Sequence, residues 1–232
     1  MTEIYGIQIN SDADSQRKDS LMRFVCKERS KKVNNYRFQQ DSLRCLFGDL
    51  LSRFAICQRT GYRNNQLHFN VTTYNKPFLV DPSNVSFNVS HSGNWVVCAI
   101  SDELVGIDIE HIRPIDLDIA KNFFSKEEYC QLLNQAVDHR LRYFYLLWTL
   151  KESYIKADGR GLVIPLDSFS MDIRNDRISV ITDNALQSCF FTHFDIDKDH
   201  IVSVCSLDNN FSSTITEVTI HDILETLDGK AP

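Results

Sequence analysis

The chain of 232 residues carries only 8 glycines and no Gly-x-x-x-x-Gly-Lys, which excludes a P-loop and a Gly-rich dinucleotide fingerprint. It has no Gly-x-Ser-x-Gly, so the usual elbow of an acyl-transfer serine is missing too. The seven cysteines, at 26, 45, 57, 98, 130, 189 and 205, are odd in number and form no Cys-x-x-Cys. Reduced core thiols in a cytoplasmic protein are therefore expected, and neither a disulfide frame nor a zinc site. No basic segment followed by an apolar run opens the chain, and no apolar stretch approaches the ~18–20 residues that cross a bilayer. No secretory signal and no membrane span are expected. Positive charge is not in excess: the net charge is −6, which argues against a nucleic-acid partner. It leaves room for a local basic pocket. Six histidines (68, 111, 139, 193, 200 and 221) show no metal-ligand spacing and receive no role.

What is present is ample material for a core, with 43% hydrophobic residues and 15 phenylalanines. The chain also repeats itself. Ile4-Tyr5-Gly6-Ile7-Gln8-Ile9 aligns with Leu104-Val105-Gly106-Ile107-Asp108-Ile109 at an offset of 100 residues. The same offset pairs Phe24 with Phe124, Leu50 with Leu150, Phe54 with Tyr154 and Gly61 with Gly161. Each half reads as strand, polar loop, helical segment, long helix, glycine stop, then strands. Helical spacing runs from Asp41 to Gln58 and from Arg140 to Lys156. Strand-like runs follow at 67–73, 85–89 and 95–101, and again at 169–173, 178–181, 189–195 and 201–207. This predicts an α+β fold built as a pseudo-dimer of two similar α/β subdomains, 1–102 and 103–232, with the site at their interface.

Two motifs concentrate charge. In Gly106-Ile107-Asp108-Ile109-Glu110, read as a strand, Asp108 and Glu110 share one face. In Trp148-Thr149-Leu150-Lys151-Glu152-Ser153-Tyr154-Ile155-Lys156, read as a helix, Glu152 and Lys156 stand one turn apart. Each alone is also what a solvated strand end or an exposed helix ion pair looks like. Together, three carboxylates and an ammonium suit a hard divalent cation beside a phosphate. At the repeat offset their counterparts are Gln8, Asn10, Ser52 and Ile56, so one metal site per chain is expected, on the second half. Phe87-Asn88-Val89-Ser90-His91-Ser92-Gly93 runs from strand into a donor-rich turn fit to grip a phosphate. Arg29, Lys31, Lys32, Arg37 and Arg44 make the first half's helical region basic, with Lys76 after it. Such runs are commonly solvated faces.

These segments resemble the 4′-phosphopantetheinyl transferases of the surfactin-synthetase-activating type. The resemblance covers nearly the whole chain. It rests on Asn75-Lys76-Pro77, Phe87 to Ser92, Gly106 to Glu110, and Trp148-x-x-Lys151-Glu152-Ser153-x-x-Lys156-x-x-Gly159-x-Gly161. One departure is Asn75, where the family usually has glycine; asparagine tolerates positive φ better than most residues. The resemblance implies a monomeric pseudo-dimer holding coenzyme A between its halves. It implies Mg²⁺ on Asp108, Glu110 and Glu152, with Asp108, Glu152 and Lys156 also at the coenzyme A pyrophosphate. The nucleotide end falls to Lys76, Asn88, Ser90 and His91, with Arg29 and Lys32 lining the pocket and Arg44 a weaker candidate.

The implied reaction moves 4′-phosphopantetheine from coenzyme A to a serine of an apo acyl or peptidyl carrier protein and releases adenosine 3′,5′-bisphosphate. Such carriers belong to nonribosomal peptide, polyketide or fatty-acid synthases. Lys156 and Glu152 carry the catalytic roles, Glu152 as general base. Segment 112–124 is either carrier-docking surface or ordinary core. A Mg²⁺-dependent pyrophosphohydrolase and a silent coenzyme A or carrier-binding module are the competing readings.

Overall fold

The computed structural model of the protein describes residues 1–81, 85–174 and 177–229. β1 (Glu3–Gln8) leads to α1 (Ser11–Leu21), α2 (Lys27–Asn34) and the long α3 (Gln39–Thr60). A hairpin of β2 (His68–Val71) and β3 (Pro77–Asp81) follows, then β4 (Ser86–Ser92) and β5 (Trp95–Ser101). The second half opens with β6 (Val105–His111), the short α4 (Ala120–Phe123) and α5 (Lys126–Asn134), and the long α6 (Val137–Asp158). Its hairpin is β7 (Ser170–Arg174) with β8 (Arg177–Ile181), followed by β9 (Phe190–Asp197) and β10 (His200–Ser206). β11 (Thr216–Glu217) and α7 (Ile220–Leu227) come last. Among the described residues no helix is long and apolar enough to cross a membrane.

The repeat is visible in the topology. One sheet contains β1-β5-β4 and the other β6-β10-β9, every one of these pairs antiparallel. Strand alternation explains how the layers assemble. Val96, Cys98 and Ile100 of β5 face α3 and its core, whereas Trp95, Val97 and Ala99 face the second sheet. There they meet Val105, Ile107 and Ile109 of β6 with Val202 and Val204 of β10. The interface between halves is thus itself a hydrophobic core. Because the odd-numbered residues of β6 are committed to it, Gly106, Asp108 and Glu110 take the opposite face.

Three details differ from the sequence reading. The polar stretch after β1 is helix α1: Asn10 Oδ1 accepts the Ala13 N–H at 3.2 Å, and Asp14 Oδ2 accepts the Asn10 N–H at 2.7 Å. Only Asp14 and Leu21 of α1 are buried, so no apolar periodicity announces it. Both long helices end on a left-handed glycine, Gly61 at φ 72° and Gly159 at φ 88°. The true counterpart of Gly61 is therefore Gly159, two residues before Gly161, and cap alignment sets Phe54 and Gln58 against Glu152 and Lys156. The acidic set still has no twin.

The third difference concerns the division at 102/103. The chain returns to the first half at its far end: β11 pairs in parallel with β1, and the Val218 N–H donates to Gly6 O at 2.9 Å. Val218, Ile223 and Leu227 are buried in the core beneath α3. All seven cysteines are free, but Cys26 is exposed, as is Cys130, and the fully buried ones are Cys57, Cys98 and Cys205.

Candidate active site

β6 and α6 approach more closely than side chains permit. A Cβ on Gly106 would run into the Ser153 carbonyl oxygen and the Ala157 nitrogen, so only glycine lets the helix backbone lie on the strand. That approach brings Lys156 across to Asp108: its Nζ donates to Asp108 Oδ1 at 2.6 Å and to Ser90 Oγ at 2.8 Å. Ser90 Oγ donates in turn to Asp108 Oδ1 at 2.8 Å. One ammonium therefore joins the first half's β4 to the second half's β6 and α6.

The edges of β4 and β6 meet through side chains. Asn88 Oδ1 accepts the Ile107 N–H and Ser92 Oγ accepts the His111 N–H, both at 3.0 Å. Ser92 Oγ also donates to Glu110 Oε2 at 3.0 Å. Asn88, expected to bind coenzyme A, is a buried tie between the halves through its Oδ1, which leaves the two donors of its Nδ2 for a ligand.

The three carboxylates sense one another. Burial, then the charge of Asp108, raises the pKa of Glu110. Burial and Asp108 also raise that of Glu152, partly offset by Lys156. Asp108 Oδ2 is buried with no hydrogen-bond partner among the described residues. Even so, no group of three or more His, Cys, Asp or Glu among the described residues is drawn to metal-holding spacing. Asp108 has Lys156 as counter-ion, and Glu110 has Ser92 as hydrogen-bond donor.

The basic side chains divide. Arg44 donates from Nε at 2.9 Å and Nη2 at 2.6 Å to Gly93 O, gripping the turn that follows His91. His91 itself reaches solvent, yet desolvation of its ring lowers its pKa, and Arg44 and Lys156 add to this. Arg29 is partly buried and donates from Nε to Asp49 Oδ2 at 2.8 Å, while Lys32 is exposed. A cleft of about 590 Å³ opens beside Arg44 between Ser11 and the start of α3. Lys76 turns elsewhere: its ammonium donates to the carbonyls of Lys156, Ala157 and Val105 at 2.6, 3.2 and 3.3 Å. The positive φ anticipated at Asn75 is found, at 63°.

Two contributors have no signature in the sequence. His200, assigned no role above, lies under the β4–β5 turn, so close that a Cβ on Gly93 would sit 2.6 Å from its Nε2. Asp197 holds this ring at Nδ1 at 2.9 Å and accepts Trp95 Nε1 at 2.8 Å. The second is Glu128, whose carboxylate receives Lys151 Nζ at 2.7 Å on both oxygens, both residues being fully buried. Only knowledge that α5 packs on α6 pairs them.

Two protein-family descriptions match the chain. Residues 104–205 match "4′-phosphopantetheinyl transferase superfamily" and residues 13–103 match "4′-phosphopantetheinyl transferase, N-terminal". The 4′-phosphopantetheinyl transferase Sfp of Bacillus subtilis (strain 168) is 36% identical over 96% of this chain and 100% of that protein. This chain belongs to the 4′-phosphopantetheinyl transferase family. The Bacillus subtilis transferase ffp is 38% identical over the same shares, and the transferase gsp of Aneurinibacillus migulanus 34% identical over 96% of this chain and 94% of its own. Among solved structures, the holo-[acyl-carrier-protein] synthase of Thermotoga maritima is similar at a TM-score of 0.40 and 17% identity, covering 46% of this chain and 63% of that one. As a family member the protein is a transferase of the 4′-phosphopantetheine group, the activity its sequence motifs imply.

Proposed function

We propose that the protein transfers 4′-phosphopantetheine from coenzyme A to a serine of an apo carrier protein at the seam between β4, β6 and α6. The observation that carries this site is the Lys156 ammonium spanning Ser90 and Asp108 across the two halves. The pyrophosphate lies against Lys156 and Ser90. The nucleotide end extends past His91 toward Arg29, Lys32 and the cleft beside Arg44.

A divalent cation suits the chemistry of the donor set: Asp108 Oδ2 is buried with no hydrogen-bond partner among the described residues, and the charge of Asp108 raises the pKa of both Glu110 and Glu152. Asp108, Glu110 and Glu152 would hold it, and Mg²⁺ is the ion such oxygen ligands suit. When bound it neutralises pyrophosphate charge. The chain's own groups do the rest. Glu152 takes the proton of the carrier serine hydroxyl as its oxygen bonds to the pantetheine-side phosphorus. The phosphorus–oxygen bond to the nucleotide breaks, and its electron pair stays on the oxygen of the departing adenosine 3′,5′-bisphosphate. Lys156 stabilises that growing charge.

The carrier serine enters beside Glu110, where a cleft of about 230 Å³ is lined by Arg113, Ile115, Tyr145 and Trp148. Exposed Arg113 to Asp116 give a docking rim there, while Ala120 and Phe124 of segment 112–124 are buried in the core of the second half, so the segment divides between the surface and core readings. The seven free thiols fit a reducing compartment such as the cytoplasm. Incubation with apo-carrier, coenzyme A and Mg²⁺, followed by intact-mass measurement of the carrier, tests the proposal. A carrier heavier by one phosphopantetheine is the expected result. Coenzyme A cleaved with the carrier unchanged would replace transfer by hydrolysis.

A further inference from the structure

Lys76 sits at the end of a turn that fixes its backbone. Asn75 takes φ 63°, Thr72 Oγ1 accepts the N–H groups of Tyr74 and Lys76 at 3.3 and 3.1 Å, and the Thr72 N–H donates to Lys76 O at 2.9 Å. From this anchor the side chain crosses to the second half. Its stem lies over the left-handed Gly159, where a Cβ would meet Lys76 Cδ at 3.1 Å. All three ammonium donors find carbonyls: Lys156 O, Ala157 O and Val105 O. The first two are orphan acceptors in the last turn of α6, where a cation is also favoured by the helix dipole. The third is at the first residue of β6. Desolvation lowers the Lys76 pKa to about 8, opposed by Cys205 and Asp158, as befits an ammonium buried among carbonyls.

The same helical turn presents the Lys156 side chain to Asp108, and the same strand presents Asp108 to Lys156. Lys76 therefore grips the backbone of Lys156 itself and that of β6 at Val105, three residues before Asp108, and so ties together the two elements whose side chains form the ion pair that defines the site. We infer that Lys76 is a positioning residue that sets the register of α6 against β6 and so holds Lys156 on Asp108, and that its ammonium does not contact coenzyme A. This rests on the placement of Lys156 at the pyrophosphate proposed above. It removes Lys76 from the nucleotide-binding set that the sequence suggested, and it explains why its ammonium points away from Ser90 and His91.

The two roles separate in kinetics. Lys76→Met keeps the stem and removes charge and donors. A positioning role predicts kcat lower by about 10- to 100-fold, the scale of a small misplacement of a reacting group, with the Kd for coenzyme A raised no further than Lys156→Ala raises it. A phosphate contact predicts the reverse, a weaker and less salt-sensitive Kd with kcat retained. A double-mutant cycle supplies a reading that loss of fold alone would not move. Lys76→Met should cost little further kcat once Lys156→Ala is present, because the first acts through the second. Additive losses, an unchanged kcat or a Kd raised beyond that of Lys156→Ala would each overturn the inference.

If Lys76→Met does not fold, Lys76→Arg keeps charge and donors in a pocket shaped for an ammonium. It should bind coenzyme A no more weakly than Lys156→Ala does, turn over more slowly and show the same coupling, and binding weaker than that would count against the role. Wild-type kcat in Lys156→Ala alone would overturn the site reading, and this inference with it.

Discussion

Glu152 lies half-buried on α6, and burial with the charge of Asp108 raises its pKa above the usual carboxylate value, which makes it a stronger base. Glu152→Gln preserves shape and removes the base. It should lower kcat by roughly 10²- to 10⁴-fold while the Kd for coenzyme A, measured by calorimetry, changes far less. His91 offers a pH test. Its folded pKa is depressed, chiefly by desolvation, so it is neutral at pH 7 in the free protein. Phosphate prefers the imidazolium, so coenzyme A binding should tighten as pH falls from neutral toward the free-state pKa, and His91→Gln should flatten that dependence. The stability sign is opposite. A histidine with a lowered folded pKa contributes stability above its unfolded value of about 6.5, and that contribution is lost as pH falls through the folded value.

At the scale of elements, α6 is positioned from three sides: by Gly106 beneath it, by Lys76 at its end, and by the Lys151–Glu128 pair on its flank. Lys151 Nζ also donates to Phe169 O at 2.6 Å, and Glu128 accepts the Met171 N–H at 2.7 Å, so the pair links α5, α6 and β7. Desolvation lowers the Lys151 pKa while Glu128 opposes it. Removing one member of such a fully buried pair leaves the other uncompensated. Lys151→Met should destabilise by about 3–5 kcal/mol, measured by denaturant unfolding. Gly106→Ala should cost about 3 kcal/mol, the upper end for overpacking, and should reduce kcat beyond its effect on folding.

What could be read from the sequence follows the same logic. The strand β5 was bounded correctly at 95–101, and the long helices within three residues at each end, because burial imposes period 2 or 3.6 on their apolar residues. Asp108 and Glu110 were rightly set opposite Ile107 and Ile109. The contacts made by Lys76, Asn88 and His200 escaped because they depend on which strand edge or helix end faces these residues, and local spacing carries no trace of that. Helix α1 and the returning segment β11–α7 escaped for a related reason: α1 is polar almost throughout, and the partners of the last segment lie two hundred residues earlier in the chain.

For the whole molecule, a shared core between the halves implies shared stability. Ile4, Val97 and Ala99 pack on Val105, Ile107 and Val202, so neither sheet is covered without the other. Thermal unfolding should therefore show one cooperative transition, with calorimetric and van't Hoff enthalpies in agreement. Deleting residues 212–232 removes Val218, Ile223 and Leu227 from the first half's core, at about 1.5–3 kcal/mol each. That sum rivals the ~5–15 kcal/mol that holds a domain together. The shortened chain should elute as aggregate and lose its cooperative melt.

The parallel pairing of β11 with β1 also has a temporal side. On a ribosome adding ~5–20 residues per second, the opening strand emerges first, and the segment that covers its outer border arrives on the order of ten seconds or more later. Throughout that interval the border is an open template for foreign chains. Chaperone demand during biosynthesis should accordingly be set by the wait for segment 216–227, and a rearranged gene that places this segment just ahead of β1 should relieve it.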